Sequence, residues 1–178
     1  MTERLKNIRE EIIKKVFIRG EKIEILDDVG LLQNWIFDFR KSLLDPSFLS
    51  NVSREILSII QKNFPSPRIL VGGLESAGIP LVSGVVLSSL ENSPPCTGFY
   101  IRKSRKKAGL LNLIEGDLSA DGPVVLVDDI VNSGKSILKQ IEILKQAGKK
   151  VSAVCVILRY RDIRYYDFLS AHDNIEFV

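Results

Sequence analysis

Two adjacent carboxylates, Asp128 and Asp129, lie between an apolar run and a small polar turn. The run at 124–127 is typical of a short strand that is buried on both faces. After the turn, apolar residues recur at helical spacing, which predicts a helix over 136–147 that Gly148 ends with a left-handed cap. The predicted order is therefore strand, acid pair, turn and helix.

Such a unit can bind a sugar phosphate. Backbone N–H groups at a helix N-terminus attract a phosphate, because the helix dipole is positive there. The two carboxylates would repel that phosphate, but they can accept hydrogen bonds from vicinal hydroxyls. The sequence therefore predicts a ribose 5-phosphate site in which the turn binds the phosphate. The residues of this phosphate turn are Val131, Asn132, Ser133, Gly134, Lys135 and Ser136.

Three other interpretations fit parts of this stretch. The tripeptide at 134–136 is similar to the end of a Walker A loop, but that motif requires a glycine where Asp129 stands. An acid pair after a strand can hold a metal ion, although it then needs further ligands that the sequence does not place. The plainest alternative is a helix N-cap by Asn132 or Ser133, with the acids favouring the positive end of the helix dipole.

A second, glycine-rich turn follows the apolar run at 68–72. Glycine lets the backbone approach an anion closely, and Pro80 suits the first turn of the following helix. A glycine-rich turn on its own more often reflects tight packing, but two anion sites at one sheet edge suit a substrate that is phosphorylated at both ends. The residues that we assign to this second site are Gly73, Leu74, Glu75, Ser76 and Ala77.

A basic cluster opens a long loop. Residues 102–107 carry five positive charges, and the loop extends to about Gly122. A charge run most often indicates a solvated or nucleic-acid-binding stretch. No aromatic residues interleave with these charges for base stacking, so we expect no nucleic-acid partner. Because long loops inside compact domains are commonly functional, we predict a mobile lid whose cations meet the phosphates of the substrate.

The composition is that of a globular protein. The 178 residues are 45% hydrophobic and 26% charged, which predicts one domain rather than disorder. The net charge of +3 specifies no partner. Cys96 and Cys155 lie far apart, so we expect buried, reduced thiols. The chain start lacks a signal-peptide pattern and no run reaches transmembrane length, so we expect no membrane association and a cytoplasmic location.

The second part of the chain alternates strands with helices. This alternation is typical of an α/β fold with a mostly parallel sheet that helices cover on both faces, and with ligands at the carboxyl ends of the strands. We predict strands at 68–72, 97–101, 124–127 and 151–158, and helices at 79–90 and 136–147.

The first 64 residues are less regular. We predict that the single domain, 1–178, has a core at about 65–160 and a small hood formed by 1–64 and 161–178. Within the N-terminal part we predict a helix over 3–18, a hairpin near 23–26, a strand at 35–40 and a helix from Asp45-Pro46 to about Phe64.

Together, these motifs resemble those of type I phosphoribosyltransferases, and most closely the orotate type. The family signature has an apolar strand, two acids, two apolar residues and a hydroxyl-rich turn, with threonine where this chain has Asn132. The ending at 77–80, Ala-Gly-Ile-Pro, is similar to the pyrophosphate loop of orotate enzymes. Arg102, Lys103 and Lys106 match the cations of their catalytic loop. The resemblance covers nearly the whole chain.

The resemblance implies a type I phosphoribosyltransferase fold and transfer of ribose 5-phosphate from phosphoribosyl pyrophosphate (PRPP) to a small base, in a homodimer. It implies catalytic roles for Asp128, Asp129 and Lys106. The two turns, with Arg102 and Lys103, would bind PRPP. Mg²⁺ is the implied cofactor, and we assign no residue of the chain to it, because Mg²⁺ would be held largely through substrate and water oxygens.

The base-binding side departs from the orotate pattern. The segment 35–46 resembles the family sequence Tyr-Phe-Asp-Leu-Arg…Leu-Leu-Asp-Pro, and the resemblance implies base contacts by Phe37, Tyr160 and Arg159. However, Asp28 stands where orotate enzymes have a lysine that contacts the base, and Tyr160 stands where they have an arginine. An orotate carboxylate would then need Arg159, Arg161 or Arg19 as its partner.

The catalytic loop departs as well. Ala108 stands where orotate enzymes have a histidine, and the one histidine of the chain, His172, is expected at the surface. These departures leave two alternatives open. One is a transferase for another base, and the other is a non-catalytic regulator that binds PRPP or a nucleotide.

Overall fold

The computed structural model describes residues 2–20, 25–26, 32–66, 68–91, 95–104, 113–169 and 175–177. The chain begins with a helix and short antiparallel strand pairs. β1 pairs with β4, and β2 pairs with β3; these four strands lie in the N-terminal part of the predicted hood. The elements are α1 (Glu3–Glu11), a π-helical turn (Ile12–Val16), β1 (Phe17–Arg19), β2 (Ile25–Leu26), β3 (Leu32–Gln33) and β4 (Trp35–Phe37).

Two predictions for this part differ from the structure. The helix predicted over 3–18 gives way to strand β1, because Phe17 packs on Phe37 of the paired strand with ring centres 5.1 Å apart. The strand predicted at 35–40 ends at Phe37. There the chain turns, and the Asp38 carboxylate accepts a hydrogen bond from the Arg40 N–H at 3.0 Å.

Helix α2 (Pro46–Asn63) begins where the sequence predicts. The Asp45 carboxylate accepts a hydrogen bond from the Phe48 N–H at 2.9 Å, and Pro46 occupies the first turn, where its missing N–H is not needed. The face with Val52 and Ile56 is buried. In the part of the chain that the structure describes, no helix is both long and apolar enough to cross a membrane.

A six-stranded sheet follows, in the order β10–β9–β8–β5–β6–β7. All neighbouring strands are parallel except β6 and β7, which are antiparallel. This confirms the mostly parallel sheet. The remaining elements are β5 (Leu70–Leu74), α3 (Gly78–Ser88), β6 (Thr97–Ile101), β7 (Ile114–Gly116), β8 (Val124–Val131), α4 (Lys135–Gln146), β9 (Val151–Arg159) and β10 (Glu176–Phe177).

Helices cover both faces of the sheet. Along β8, Val125 and Val127 belong to the buried cluster that includes α2 and α3, whereas Val124 and Leu126 belong to the cluster that includes α4. Because successive strand residues point to opposite faces, a strand buried on both faces is apolar throughout. This explains the unbroken apolar run that precedes the acid pair.

Three strands differ from the prediction. β8 extends through the acid pair to Val131, because it keeps pairing with β9 up to Arg159. The predicted long loop contains β7, which pairs with β6. β10 pairs with β9, so residues 176–177 belong to the sheet, whereas we expected 161–178 in the hood. β7 and β10 are short, and each is defined by its pairing with a neighbouring strand rather than by a local sequence pattern.

Candidate active site

The acid pair lies at the carboxyl end of β8. The Asp129 N–H donates a hydrogen bond to Asp128 Oδ1 at 3.0 Å, and the Ile130 N–H donates one to Asp129 Oδ1 at 2.8 Å. Both carboxyl groups are half-buried. The backbone therefore holds one oxygen of each carboxyl group, and the two side chains also interact with each other through a hydrogen bond.

Burial makes both acids hard to ionise. The pKa of Asp128 is raised to about 7, first by burial and then by the negative charge of Asp129, while the positive charge of Lys103 opposes this change. Burial also raises the pKa of Asp129, and the charge of Asp38 adds to the effect. The acid pair therefore lies within electrostatic reach of Lys103 in the basic cluster and of Asp38, which follows β4.

The phosphate turn leads directly into α4. Gly134 is the N-cap residue, with φ +76° and no side-chain capping bond, so the alternative of a cap by Asn132 or Ser133 is wrong. The Leu138 N–H donates to the Gly134 carbonyl at 3.0 Å, which closes the first turn of α4. The N–H groups of the preceding helical residues have no acceptor within the helix and are available to an anion.

The glycine-rich turn between β5 and α3 is closed by direct backbone contact. A Cβ atom on Gly73 would lie 2.7 Å from the Val127 carbonyl oxygen and 2.9 Å from Gly78 Cα. Only glycine fits at that distance, so the turn is fixed against the end of β8. The peptide bond between Glu75 and Ser76 is cis.

Glu75 connects this turn to the start of the basic cluster. Its backbone N–H donates to the Ile101 carbonyl at 2.8 Å, and its carboxylate Oε1 accepts the Lys103 N–H at 2.6 Å. Arg102 Nη1 lies 3.8 Å from Glu115 Oε1, an acid on β7. The two cations that the sequence assigns to PRPP, Arg102 and Lys103, are therefore held in place at the point where the chain leaves β6.

The side chains of Leu74 and Val131 pack in the core, so these two predicted site residues can offer a ligand only their backbone groups. Ser76, Lys135 and Ser136 are exposed, while Ala77, Asn132 and Ser133 are partly buried. Lys106, Ala108, Asp28 and His172 lie outside the described residues.

Four aromatic rings form a cluster beside the acid pair. Trp35 and Tyr160 stack with ring centres 5.7 Å apart, and Phe37 meets Tyr160 edge-on at 5.8 Å. Phe17 completes the cluster, 5.1 Å from Phe37. The Tyr160 N–H donates to the Val131 carbonyl at 3.0 Å, which ties the cluster to the end of β8. The structure thus brings together two residues predicted to bind the base, Phe37 and Tyr160.

The arginines around Tyr160 have partners within the chain. Arg159 Nη1 donates to the Arg161 carbonyl oxygen at 3.0 Å, and the Arg161 guanidinium lies 5.2 Å from the centre of the Tyr165 ring. Both side chains are exposed. Either one can exchange its weak surface contact for a carboxylate.

The sequence did not single out two groups beside the acid pair. Arg40 forms a two-point ion pair with Asp38, with both N–O distances at 2.8 Å, and this pair holds the pKa of Asp38 below its usual value. Tyr166 donates its hydroxyl hydrogen toward carbonyl oxygens of the phosphate turn. The segment containing Asp38 matched a family pattern, whereas no local pattern indicates Tyr166.

The two turns and the acid pair lie at one edge of the sheet. β5 and β8 are parallel neighbours, with Gly72 opposite Leu126, so the turns that follow them are adjacent. This edge offers two groups of backbone N–H donors with two carboxylates between them. The arrangement suits a ribose that carries phosphates at both ends, next to an aromatic surface for a planar partner.

Comparisons with known proteins give a consistent picture. The phosphoribosyl transferase domain family matches residues 40–174. The orotate phosphoribosyltransferase of Rhodopirellula baltica is 27% identical over 132 residues, which are 72% of this chain and 68% of that protein. The orotate phosphoribosyltransferase of Nocardioides sp. is 34% identical over 116 residues, which are 65% of this chain and 60% of that protein.

Solved structures show the same fold. The orotate phosphoribosyltransferase of Mycobacterium tuberculosis in complex with Fe(III) dicitrate superimposes with a TM-score of 0.76 at 20% identity, covering 98% of this chain and 93% of that chain. The complex of the same protein with PRPP gives a TM-score of 0.69 at 18% identity, covering 99% of this chain and 87% of that chain. The α/β architecture predicted from the sequence is confirmed.

Proposed function

The chain belongs to the phosphoribosyl transferase domain family, and from this premise we propose that it transfers ribose 5-phosphate from PRPP to orotate, forming orotidine 5′-phosphate and pyrophosphate. The observation that carries the proposal is the half-buried acid pair, Asp128 and Asp129, between two anion-binding turns at one sheet edge. The proposed pathway is pyrimidine nucleotide synthesis. The buried thiols of Cys96 and Cys155 are consistent with a reducing, cytoplasmic location.

The donor is bound mainly by backbone groups. The phosphate turn, 131–136, receives the 5-phosphate at the N-terminus of α4, and the glycine-rich turn, 73–77, receives the pyrophosphate. The ionised carboxylates of Asp128 and Asp129 accept hydrogen bonds from the ribose hydroxyls. Hydroxyl binding requires the ionised acids, so it favours proton loss from a pair whose pKa burial has raised.

The chemical step is a displacement at the anomeric carbon. A base nitrogen forms a bond to that carbon, while the bond to the pyrophosphate oxygen breaks and its electron pair leaves with pyrophosphate. Positive charge develops on the ribose ring in the transition state. The fixed negative charges of Asp128 and Asp129 stabilise this positive charge, and the effect is strongest in a site with little water.

Pyrophosphate is met by cations of the basic cluster. The backbone of Lys103 is fixed by the Glu75 carboxylate at 2.6 Å, and its positive charge acts on Asp128. Arg102 lies at the same end of the cluster, and Lys106 is the proposed catalytic lysine. A carboxylate would repel pyrophosphate, so Glu75 serves to position the cluster rather than to bind the ligand through its side chain.

Mg²⁺ is the proposed cofactor. Among the residues that the structure describes, no group of three or more His, Cys, Asp and Glu side chains could hold a metal ion. Mg²⁺ commonly binds substrate phosphates and waters with only one or two carboxylates. Such binding needs no cluster of protein ligands and leaves Asp128 and Asp129 to the ribose hydroxyls. When bound, the ion would neutralise charge on the pyrophosphate oxygens.

The acceptor base is proposed to stack against the aromatic cluster. Phe37 and Tyr160 offer ring surface for a planar base. Arg159 is the proposed partner of the orotate carboxylate, because its guanidinium is exposed and donates to a backbone carbonyl, a contact that a carboxylate can replace. Arg161 is the second candidate for this role, since it is exposed and contacts the Tyr165 ring.

A homodimer is proposed as the assembly. Helix α3 carries apolar side chains on its surface, with Leu87 68% and Ile79 37% exposed, and Leu90 just beyond its end is 65% exposed. Exposed apolar surface of this kind is typical of an interface between subunits. We expect sedimentation at micromolar concentration to show a dimer, and a monomer alone would contradict the proposal.

The test of the proposed function is pyrophosphate release from PRPP and Mg²⁺ with orotate, uracil, adenine or hypoxanthine as acceptor. We expect release only with orotate. Release only with a different base would support the transferase activity but rule out orotate as the acceptor. No release with any base, together with PRPP binding in a calorimeter, would instead favour the regulator. No binding of PRPP would refute both.

A further inference from the structure

Tyr166 lies beneath the phosphate turn, at the end of a 3₁₀ turn (Ile163–Tyr166). Its side chain is 1% exposed, and its ring is parallel to Phe177, with ring centres 4.9 Å apart and planes within 5°. The hydroxyl oxygen is 3.1 Å from the Val131 carbonyl oxygen and 2.9 Å from the Asn132 carbonyl oxygen. The ring is therefore fixed in the core with its one polar atom against the turn.

This contact orients backbone donors on the other side of the turn. Each carbonyl belongs to a planar peptide unit whose N–H is supplied by the next residue, and in a trans unit the two groups point in opposite directions. The Tyr166 hydroxyl draws the carbonyls of Val131 and Asn132 toward the buried ring. The N–H groups of Asn132 and Ser133 are consequently directed away from the core.

Neighbouring residues support the turn in the same way. The Tyr160 N–H donates to the Val131 carbonyl at 3.0 Å. The Phe168 ring lies against Gly134, where an added Cβ atom would meet Phe168 Cζ at 2.6 Å. The segment that follows β9 thus contacts three of the turn residues from the core side, and within it the Tyr166 side chain donates a hydrogen bond to the turn.

We propose that Tyr166 is a positioning residue for the 5-phosphate of PRPP. Its hydroxyl fixes the peptide units of the phosphate turn so that their N–H groups meet the phosphate, and it touches no ligand itself. The inference deepens the proposed function and rests on its assignment of the 5-phosphate to this turn. It concerns the phosphate of the ribose alone, because the hydroxyl of Tyr166 contacts the phosphate turn at Val131 and Asn132.

The test compares two hydroxyl deletions on adjacent tyrosines. Tyr166→Phe removes the buried hydroxyl and keeps the ring, whereas Tyr165→Phe removes the hydroxyl of a neighbour that is 46% exposed. Calorimetry with ribose 5-phosphate should show about tenfold weaker binding for Tyr166→Phe, since the phosphate turn loses the hydrogen bond that the Tyr166 hydroxyl donates to it. Binding of Mg-pyrophosphate should stay within about twofold, and Tyr165→Phe should match the wild type for both probes.

Turnover gives a second readout. Tyr166→Phe should raise the KM for PRPP about tenfold and change kcat by less than about threefold, because the hydroxyl acts on ground-state phosphate binding. Unchanged ribose 5-phosphate affinity in Tyr166→Phe would overturn the inference. An equal loss of both probes would also overturn it, since that pattern indicates general loosening of the fold.

Failure of the proposed function is recognised separately. A wild type that does not bind ribose 5-phosphate refutes the donor site, whereas a wild type that binds it without any transfer refutes only the reaction. If Tyr166→Phe does not fold, Phe177→Leu is used, because it keeps the hydroxyl and removes the ring that holds Tyr166. A selective loss of ribose 5-phosphate binding supports the inference, and equal losses reject it.

Discussion

The donor side and the acceptor side of the site are built in different ways. The donor side consists of two turns, each between a strand of the sheet and the helix that follows it, and it presents backbone N–H groups. The acceptor side consists of side chains from distant segments, with Trp35 and Phe37 from the hood and Tyr160 from the end of β9. Recognition of the donor therefore depends on backbone conformation, and recognition of the acceptor depends on tertiary contacts between side chains.

This difference explains how each side can change. A backbone turn is fixed by glycine positions such as Gly73, where any side chain would meet the Val127 carbonyl. A side-chain surface changes with single substitutions, and Tyr160 stands where the family pattern has arginine. The donor is thus constrained by the fold, whereas the acceptor is set by a few replaceable residues.

The largest effect is expected at the acid pair. Asp128→Asn and Asp129→Asn keep the carboxamide oxygen that accepts the backbone N–H, but they remove the charge facing the ribose. We expect kcat to fall at least about 100-fold for each variant, as for loss of one transition-state contact. Pyrophosphate release measures this. Asp121→Asn, at an exposed acid, is the control. If either Asp128→Asn or Asp129→Asn turned over within a few-fold of that control, the substituted acid would have no role in stabilising the transition state.

Two glycines test how strictly the donor side depends on its backbone. Gly134 and Gly148 have almost the same φ, +76° and +74°, but a Cβ meets Phe168 at Gly134 and nothing within 4 Å at Gly148. Gly148→Ala should lower the unfolding free energy by about 1 kcal/mol, and Gly134→Ala by about 2 kcal/mol or more. Urea titration measures both values. Equal losses would show that Phe168 yields freely to the new side chain.

The acceptor side is tested at Tyr160. Tyr160→Ala removes the ring that stacks on Trp35, and the KM for the base should rise about tenfold, the size expected for a lost aromatic contact. The KM for PRPP should stay unchanged. Tyr160→Phe keeps the ring and should behave as the wild type in initial-rate measurements. If Tyr160→Ala weakened PRPP and base equally, the two sides would not be separable.

The smallest effect is on stability as a function of pH. The folded pKa of Asp128 is raised to about 7 from 3.8, so the folded state binds more protons than the unfolded state between these values. Stability from this group is therefore greatest below about pH 4 and falls as the pH rises through 7. Asp128→Asn removes the free-energy cost of ionising this buried acid at high pH.

We expect Asp128→Asn to exceed the wild type in unfolding free energy by more than about 1 kcal/mol at pH 8, since one pKa unit corresponds to about 1.4 kcal/mol. The two proteins should be nearly equal at pH 4. Urea titration at both pH values measures the difference. A wild type more stable than the variant at pH 8 would show that the folded protein favours the charged acid.

Much of the donor side could be predicted because its signals are local. The apolar run, the acid pair and the helical spacing after them lie within 25 residues, 124–148, and Asp45 and Pro46 mark the start of α2 through a capping bond. These patterns reflect the hydrogen bonding and burial of single elements. The structure confirms the β8–turn–α4 unit, while β8 itself is longer than predicted.

Other features could not be predicted because they depend on distant partners. β7 is strand only through its pairing with β6, and Phe17 leaves the helical pattern to pack on Phe37. Tyr166 reaches a turn about 34 residues away in sequence, a separation that leaves no periodic signal. The proximity of Asp38 to Asp129 likewise arises from the placement of the hood segment relative to β8.

The most direct test of the account is to identify the product that the protein forms from PRPP, Mg²⁺ and orotate. Mass spectrometry and a pyrophosphate assay would be applied to the wild type and to Asp128→Asn/Asp129→Asn. We predict orotidine 5′-phosphate and pyrophosphate in equal amounts from the wild type, and neither from the double variant on the same timescale. Intact PRPP bound to the wild type, with no nucleotide formed from any base, would contradict the central claim that this site is a transferase.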